Sequence, residues 1–262
     1  MTDGGNPLFT TKARSIQTDG ELKWGGDDGE RWEDAIEDST HVRVGADGEI
    51  TTSSRPESGV SRWTCNDTDT ETGTAIDVWG SNDGSIGPGV TTGYDGRVDD
   101  AYYFDGGTDA VVEVDAPVDS VENVTYSFWV NFQTQDRWDT GAGPDRFHLG
   151  YNKSAQEVLA GLGTDYSFIN ADITQNEWHL FTLVGDSGTG IVYVDGEALP
   201  DDKNNFSYGY GSAFPETFGL GKRLGDYGAN PLTGLLSDVR IYRKSLSPTE
   251  VSNLSSTGSI TG

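Results

Sequence analysis

The stretch Leu235-Leu-Ser-Asp-Val-Arg-Ile-Tyr-Arg-Lys-Ser-Leu-Ser-Pro-Thr-Glu-Val251 decides how this chain reads. Asp238-Val-Arg-Ile-Tyr242 alternates polar and apolar side chains, the period of a strand with one buried face. Beyond it the pattern changes. Ser247 suits a helix N-cap, Pro248 the first helical position, and Glu250 completes a capping box. The expectation is a strand over 235–242 that closes on a capped helical turn over 248–254.

Four more segments alternate in the same way, and two of them end on Asp-Gly turn residues. They are Ala101-Tyr-Tyr-Phe-Asp-Gly106, Val124-Thr-Tyr-Ser-Phe-Trp-Val130, Trp178-His-Leu-Phe-Thr-Leu-Val184 and Ile191-Val-Tyr-Val-Asp-Gly196. Each describes any hairpin strand. In this order, ending on the strand and capped turn, all five together resemble the laminin-G-like (concanavalin A-like) jelly-roll family over residues 60–255. That resemblance implies an all-β, two-sheet antiparallel jelly-roll sandwich that binds glycans or proteins and rarely catalyses. Inside it, Trp129 and Trp178 read as core, and Phe128 and Trp129 must face opposite sides of their strand.

Composition narrows the partners. The 262 residues carry 43 acidic and 17 basic side chains, a formal charge of -26 and a pI near 4.1. Such a surface repels phosphate, so nucleic acid is not an expected partner. Aromatics at 11% and seven tryptophans separate the chain from acidic disordered sequences. Arginine outnumbers lysine and the acids are scattered, as in a protein made for high salt, where screening cancels self-repulsion. Cys65 is the only cysteine, which excludes an intrachain disulfide. No apolar run is long enough to cross a bilayer, and Met1-Thr-Asp-Gly-Gly lacks the marks of an export signal. A glycan-binding fold in that setting is expected on a virus particle from a halophilic host, or on a secreted protein whose signal is missing.

Residues 1–59 differ from the rest. Trp24 and Trp32 are their main apolar anchors, with short strands expected at 21–24 and 41–44, and such a segment hardly builds its own core. It reads as a docking and oligomerisation arm, joined by a linker at 51–59 to a sandwich over 60–262. Homo-oligomers and other virion proteins are its expected partners. Within the sandwich, strands are expected near 75–79, 101–105, 110–114, 123–132, 157–162, 177–185, 190–195, 217–220 and 235–242.

Catalysis is not expected. Glycoside hydrolases need two carboxylates flanking the scissile bond. The nearest approach, Ala75-Ile-Asp-Val-Trp79, has alanine where a nucleophile would stand. His41, His148 and His179 follow no ligand or triad spacing. The family resemblance also implies one structural Ca²⁺ near the sheet edge, with Asp238, Asp77 and Asp83 (beside Asn82) as ligand candidates. Ca²⁺ takes six to eight oxygens. Ser237 stands where the family pattern has a second acid. For a glycan ligand, aromatic rings and small polar residues are the expected palette. Two loops carry it: Asn204–Phe214, with Phe206, Tyr208 and Tyr210, and 138–151, with Trp138, Phe147 and Tyr151. The sequence reading is thus a non-enzymatic surface-recognition or decoration protein of a virion, without membrane insertion.

Overall fold

The computed structural model describes residues 15–16, 22–23, 40–44, 50–66, 68–69, 73–133, 137–142, 146–210, 216–224 and 230–257. Trp24, Trp32 and Phe214 lie outside the described residues. The chain divides into two compact units, Met1–Glu57 and Ser58–Gly262. In the first, β1 (Ser15–Ile16) pairs antiparallel with β2 (Leu22–Lys23), and β3 (Thr40–Val44) with β4 (Ile50–Ser54). The linker expected at 51–59 is in part strand, because β4 runs to Ser54 and β5 starts at Gly59.

The second unit is a two-layer sandwich. One layer holds β5 (Gly59–Trp63), β9 (Val90–Asp95), β10 (Asp100–Asp105), β12 (Asn123–Phe132), β17 (His179–Asp186), β18 (Thr189–Val194), β19 (Glu197–Ala198), β20 (Phe206–Ser207) and β23 (Thr233–Tyr242). Its main order is β19-β18-β17-β12-β23-β10-β9, with β20 on β18 and β5 on β23. The other layer has two runs. The first is β21-β11-β8-β7-β6, made of β6 (Thr68–Asp69), β7 (Thr74–Ala75), β8 (Gly84–Ile86), β11 (Val112–Asp115) and β21 (Thr217–Leu220). The second is β16-β15-β14-β13-β22, made of β13 (Arg137–Ala142), β14 (Arg146–Asn152), β15 (Glu157–Gly163), β16 (Asp165–Asn170) and β22 (Arg223–Leu224). Thr140 on β13 joins the runs by donating to the Gly219 carbonyl on β21 at 2.8 Å. All pairings are antiparallel except β13 with β22.

The core lies between the layers and is unusually aromatic. Tyr126, Phe128, Phe132 and Phe181 from the first layer meet Trp138, Phe147, Tyr151 and Phe218 from the second. Their ring centroids lie 5.2 Å apart for Tyr126 and Phe218, 5.6 Å for Trp138 and Phe181, and 5.3 Å for Phe132 and Tyr151. Burial of each such ring stabilises the sandwich by about 2–3 kcal/mol. Phe128 points into this core. Trp129, its neighbour, points the other way and is buried in a second cluster on the outer face, with Leu180, Tyr193, Tyr242, Val251 and Leu254. Trp178 packs half-buried against that outer cluster.

Helix α1 (Pro248–Thr257) covers the outer cluster with Val251 and Leu254. It starts as the sequence implies. The Ser247 hydroxyl accepts from the Glu250 amide at 3.3 Å, and the Glu250 carboxylate accepts from the Ser247 amide at 2.9 Å. Two strand expectations change. The strand expected at 75–79 is only Thr74–Ala75, and 138–151 is not a loop but the hairpin β13–β14. The Thr-Gly-Ala-Gly-Pro run looks like loop chemistry. Gly141 is nevertheless required inside β13: its φ is +125°, and a Cβ there would stand 2.1 Å from the Phe147 carbonyl.

Candidate functional site

Trp138, Phe147 and Tyr151 cannot contact a ligand. They are 1%, 0% and 1% exposed, on the inward face of β13 and β14. Alternation explains the correction. Once β13 and β14 are strands, Trp138, Phe147, Leu149 and Tyr151 form one inward row, and Arg137, Asp139, His148 and Gly150 point outward.

The segment carrying β20 splits by function. Asn204 is buried, and its side-chain amide imitates a strand partner. Its Oδ1 accepts from the Val192 amide at 2.7 Å, and its Nδ2 donates to the Val192 and Leu199 carbonyls at 2.9 and 2.8 Å. Tyr208 is an anchor, 6% exposed, with its hydroxyl donating to the Val121 carbonyl at 2.5 Å. Burial pushes its phenol up to about 12. Phe206 is half-buried, packed against the core and over Gly190. Tyr210 stands out at 39% exposure.

Two aromatics missed in the sequence reading complete this edge. On β16, Ile169 points into the core, so Tyr166 and Phe168 point outward. Tyr166 is 53% exposed, and the Phe168 ring meets it edge-on at 5.2 Å. Backbone bonds bring this strand to the Tyr210 segment. The Thr164 amide donates to the Gly209 carbonyl at 3.1 Å, and the Gly209 amide donates to Thr164 Oγ1 at 3.3 Å and Asp165 Oδ2 at 3.4 Å. Ser167 Oγ donates to the Lys203 carbonyl at 3.0 Å. Two of the three exposed large aromatics among the described residues therefore lie on adjoining segments: Tyr166 projects from the outer face of β16, and the Tyr210 ring packs beside Tyr208 and Gly188 at the β17–β18 turn. The signal was present as alternation in Asp165-Tyr-Ser-Phe-Ile-Asn170, which places Tyr and Phe on the face opposite Ile.

The same outer face continues across the sheet. Register sets Tyr166 beside Gly161, then His148, then Gly141, with Phe168, Leu159, Gly150 and Asp139 in the next row. Three strand intervals from β16 to β13 make this strip about 14 Å wide. Beyond β16 the strip is covered, with Leu159 and His148 only 2% and 3% exposed, and its far end is closed. Asp139 is fully buried, with Arg223 Nε 3.4 Å from its carboxylate and the Asn230 amide donating to it at 3.2 Å. Burial raises the Asp139 carboxyl above its ordinary range against the pull of Arg223.

The residues expected to hold calcium do not fit it. Asp238 is buried, with both oxygens taken by guanidinium groups: Arg62 Nε at 2.7 Å and Arg240 Nε at 3.0 Å on Oδ1, and a second Arg240 nitrogen on Oδ2. Asp77 Oδ1 accepts the amides of Arg62, Trp79 and Gly80 at 2.9–3.1 Å, and its Oδ2 accepts that of Asn82 at 3.1 Å. Asp83 Oδ1 accepts the Asp77 amide at 2.8 Å. Among the described residues no three His, Cys, Asp or Glu side chains converge as a metal-holding group. No helix there is long and apolar enough to cross a membrane.

Fold and edge together define a two-layer antiparallel jelly-roll with an aromatic rim. The chain belongs to the laminin-G family whose model is described as the concanavalin A-like lectin/glucanases superfamily, matched over residues 105–252, more than half of its length. No curated protein sequence matches it significantly. Among solved structures it is similar to Trypanosoma rangeli sialidase, with 16% identity, a TM-score of 0.57, and 85% of this chain on 36% of that one. It is also similar to domain 4 of AbnA, a GH43 extracellular arabinanase from Geobacillus stearothermophilus in complex with arabinotriose. There identity is 19%, TM-score 0.55, and coverage 75% of this chain and 98% of that one. The binding domain of botulinum neurotoxin serotype G follows at 14% identity and TM-score 0.53, over 76% of this chain and 51% of that one. The chain spans about a third of the length of the sialidases. At these identities the likeness is one of fold.

Proposed function

We propose that the second unit is a non-catalytic carbohydrate-binding module that grips a glycan at the edge formed by Tyr166, Phe168 and Tyr210. The observation that carries this is the presence of two exposed tyrosines on adjoining segments at one sheet edge, joined through Gly209 to the hydroxyl of Thr164 and the carboxylate of Asp165. Sugars present C–H faces to rings and hydroxyls to such polar groups, and binding sites combine the two. The resemblance to an arabinanase domain that holds arabinotriose supports the ligand class. A binding role is also supported by the enclosure of Asp139, whose carboxyl is raised as in a general acid yet lies behind Arg223 and Asn230, out of reach of a glycosidic bond.

The setting we propose is the exterior of a virus particle from a salt-rich habitat, where a charge of -26 keeps the surface soluble. Residues 1–57 would dock the module to its own copies and to shell proteins. Melting curves from 0.1 to 3 M NaCl test the salt reading, which predicts stability that rises through the molar range. Glycan-array screening followed by calorimetry tests the ligand reading. Tyr166→Ala and Tyr210→Ala are each expected to weaken the best glycan at least tenfold, about 1.4 kcal/mol, with unchanged melting temperature. A wild-type protein that binds no glycan on host envelopes would instead mark a purely structural decoration.

A further inference from the structure

The misfit at the expected calcium position has a specific construction. On β23 the pairing with β12 slips between Ser127 and Trp129, so that Asp238 and Val239 together face Phe128. This is a β-bulge. Asp238 takes a left-handed backbone, φ +51°, which Asp tolerates better than most residues. Val239 keeps the inward position, and Asp238 is swung out of the core row toward the outer face. Arg240 there lies directly opposite Arg62 on β5. Two guanidinium groups in register repel unless a counter-charge lies between them. Asp238 is that charge, bonded to both.

Trp79 covers the group, with Arg62 and Arg240 5.8 and 5.9 Å from its ring centre and Tyr242 edge-on at 5.4 Å. Trp79 is held by its own amide, which donates to Asp77, the carboxylate that also accepts the Arg62 amide. Two fixed cations thus stand among two carboxylates, the same charge that one Ca²⁺ would bring. The neutral groups are committed as well. Ser237 Oγ donates to the Val98 carbonyl at 2.6 Å, and the Asn82 carbonyl accepts the Trp63 indole N–H at 3.1 Å. Burial alone would raise the Asp238 carboxyl, but Arg240 and Arg62 outweigh it and hold it below its ordinary value.

We propose that Arg62 and Arg240, clasped on Asp238 beneath Trp79, occupy the role of a divalent cation at this edge, so that the sandwich closes its first strand on its last without metal. The clasp ties β5 to β23, residues that are 176 apart in sequence. Being buried, it is little screened by salt, unlike surface pairs.

The test uses the whole chain, stripped with EDTA, at fixed ionic strength. Adding Ca²⁺ to 5 mM should leave the melting temperature unchanged, and Tb³⁺ excited through tryptophan should give no emission that depends on this site. Arg62→Met and Asp238→Asn should each lower the melting temperature by several degrees. The double variant should lose clearly less than the sum of the two, because that sum counts the Arg62–Asp238 bond twice and Arg62→Met also removes the repulsion that Asp238→Asn leaves between Arg62 and Arg240. A saturable rise with Ca²⁺, or Tb³⁺ emission abolished by Asp77→Asn or Asp238→Asn, overturns the proposal. Emission that survives both substitutions belongs to the acidic surface and supports it. If the variants fail to fold, the wild-type titration still decides.

Discussion

Replacing Trp138 with alanine separates a core role from a ligand role most sharply. Its indole is 1% exposed and touches Phe128, Phe132 and Phe181 at centroid distances of 6.2, 5.9 and 5.6 Å. Those neighbours belong to strands on the opposite layer, so they cannot close over the gap without moving the layers together. Large-to-small changes at such sites cost about 3–5 kcal/mol, the upper part of the range where collapse is restricted. With a urea m-value of about 3 kcal/mol/M for a domain of this size, the midpoint should fall by roughly 1–1.7 M. Equilibrium unfolding in urea at constant salt, followed by tryptophan fluorescence and circular dichroism, reads this directly. Tyr166→Ala, on the exposed edge, should stay within about 0.5 kcal/mol of wild type. A Trp138→Ala protein with near-normal stability and a selective loss of glycan affinity would refute the core assignment and restore 138–151 as a binding loop.

Asn204→Ala should cost about 2–4 kcal/mol, since it strips partners from the Val192 amide and the Val192 and Leu199 carbonyls; thermal melting against Asn204→Asp, which lacks the donor, checks the amide's part. Gly150→Ala should destabilise the β13–β14 pair by about 1–3 kcal/mol, because a Cβ would lie 2.2 Å from the Trp138 carbonyl, and hydrogen exchange of the β13 amides would report the loosening. His179 is hydrogen-bonded through Nδ1 to Asp195 at 2.8 Å, and that bond raises its pKa against the opposing effect of burial. Its contribution is therefore fully present below about pH 6.5 and lost as pH rises through the higher folded value. The melting temperature should fall across that window in wild type, and His179→Gln should flatten the step.

The family and its layers were legible in sequence because they rest on local rules. Alternation at 101–106, 124–130, 178–184 and 239–242 assigns faces without knowing the partner strand, and the capping box at 247–250 is satisfied within its own turn. Glycine-rich strands escaped those rules. β13 and β14 carry Gly141 and Gly150 on the outward face, where a missing side chain permits close backbone approach, and composition alone makes such segments look like loops. The site depended on contacts distant in sequence. The segments of Tyr166 and Tyr210 come together only because Gly209 docks on Thr164, and Asp238 pairs with Arg62 only because a bulge turns it toward a residue 176 positions away. Which face a residue takes follows from its neighbours in the chain, except where a bulge such as that at Asp238 resets the alternation. What it meets there is set by strand register and sheet order, to which many distant segments contribute at once.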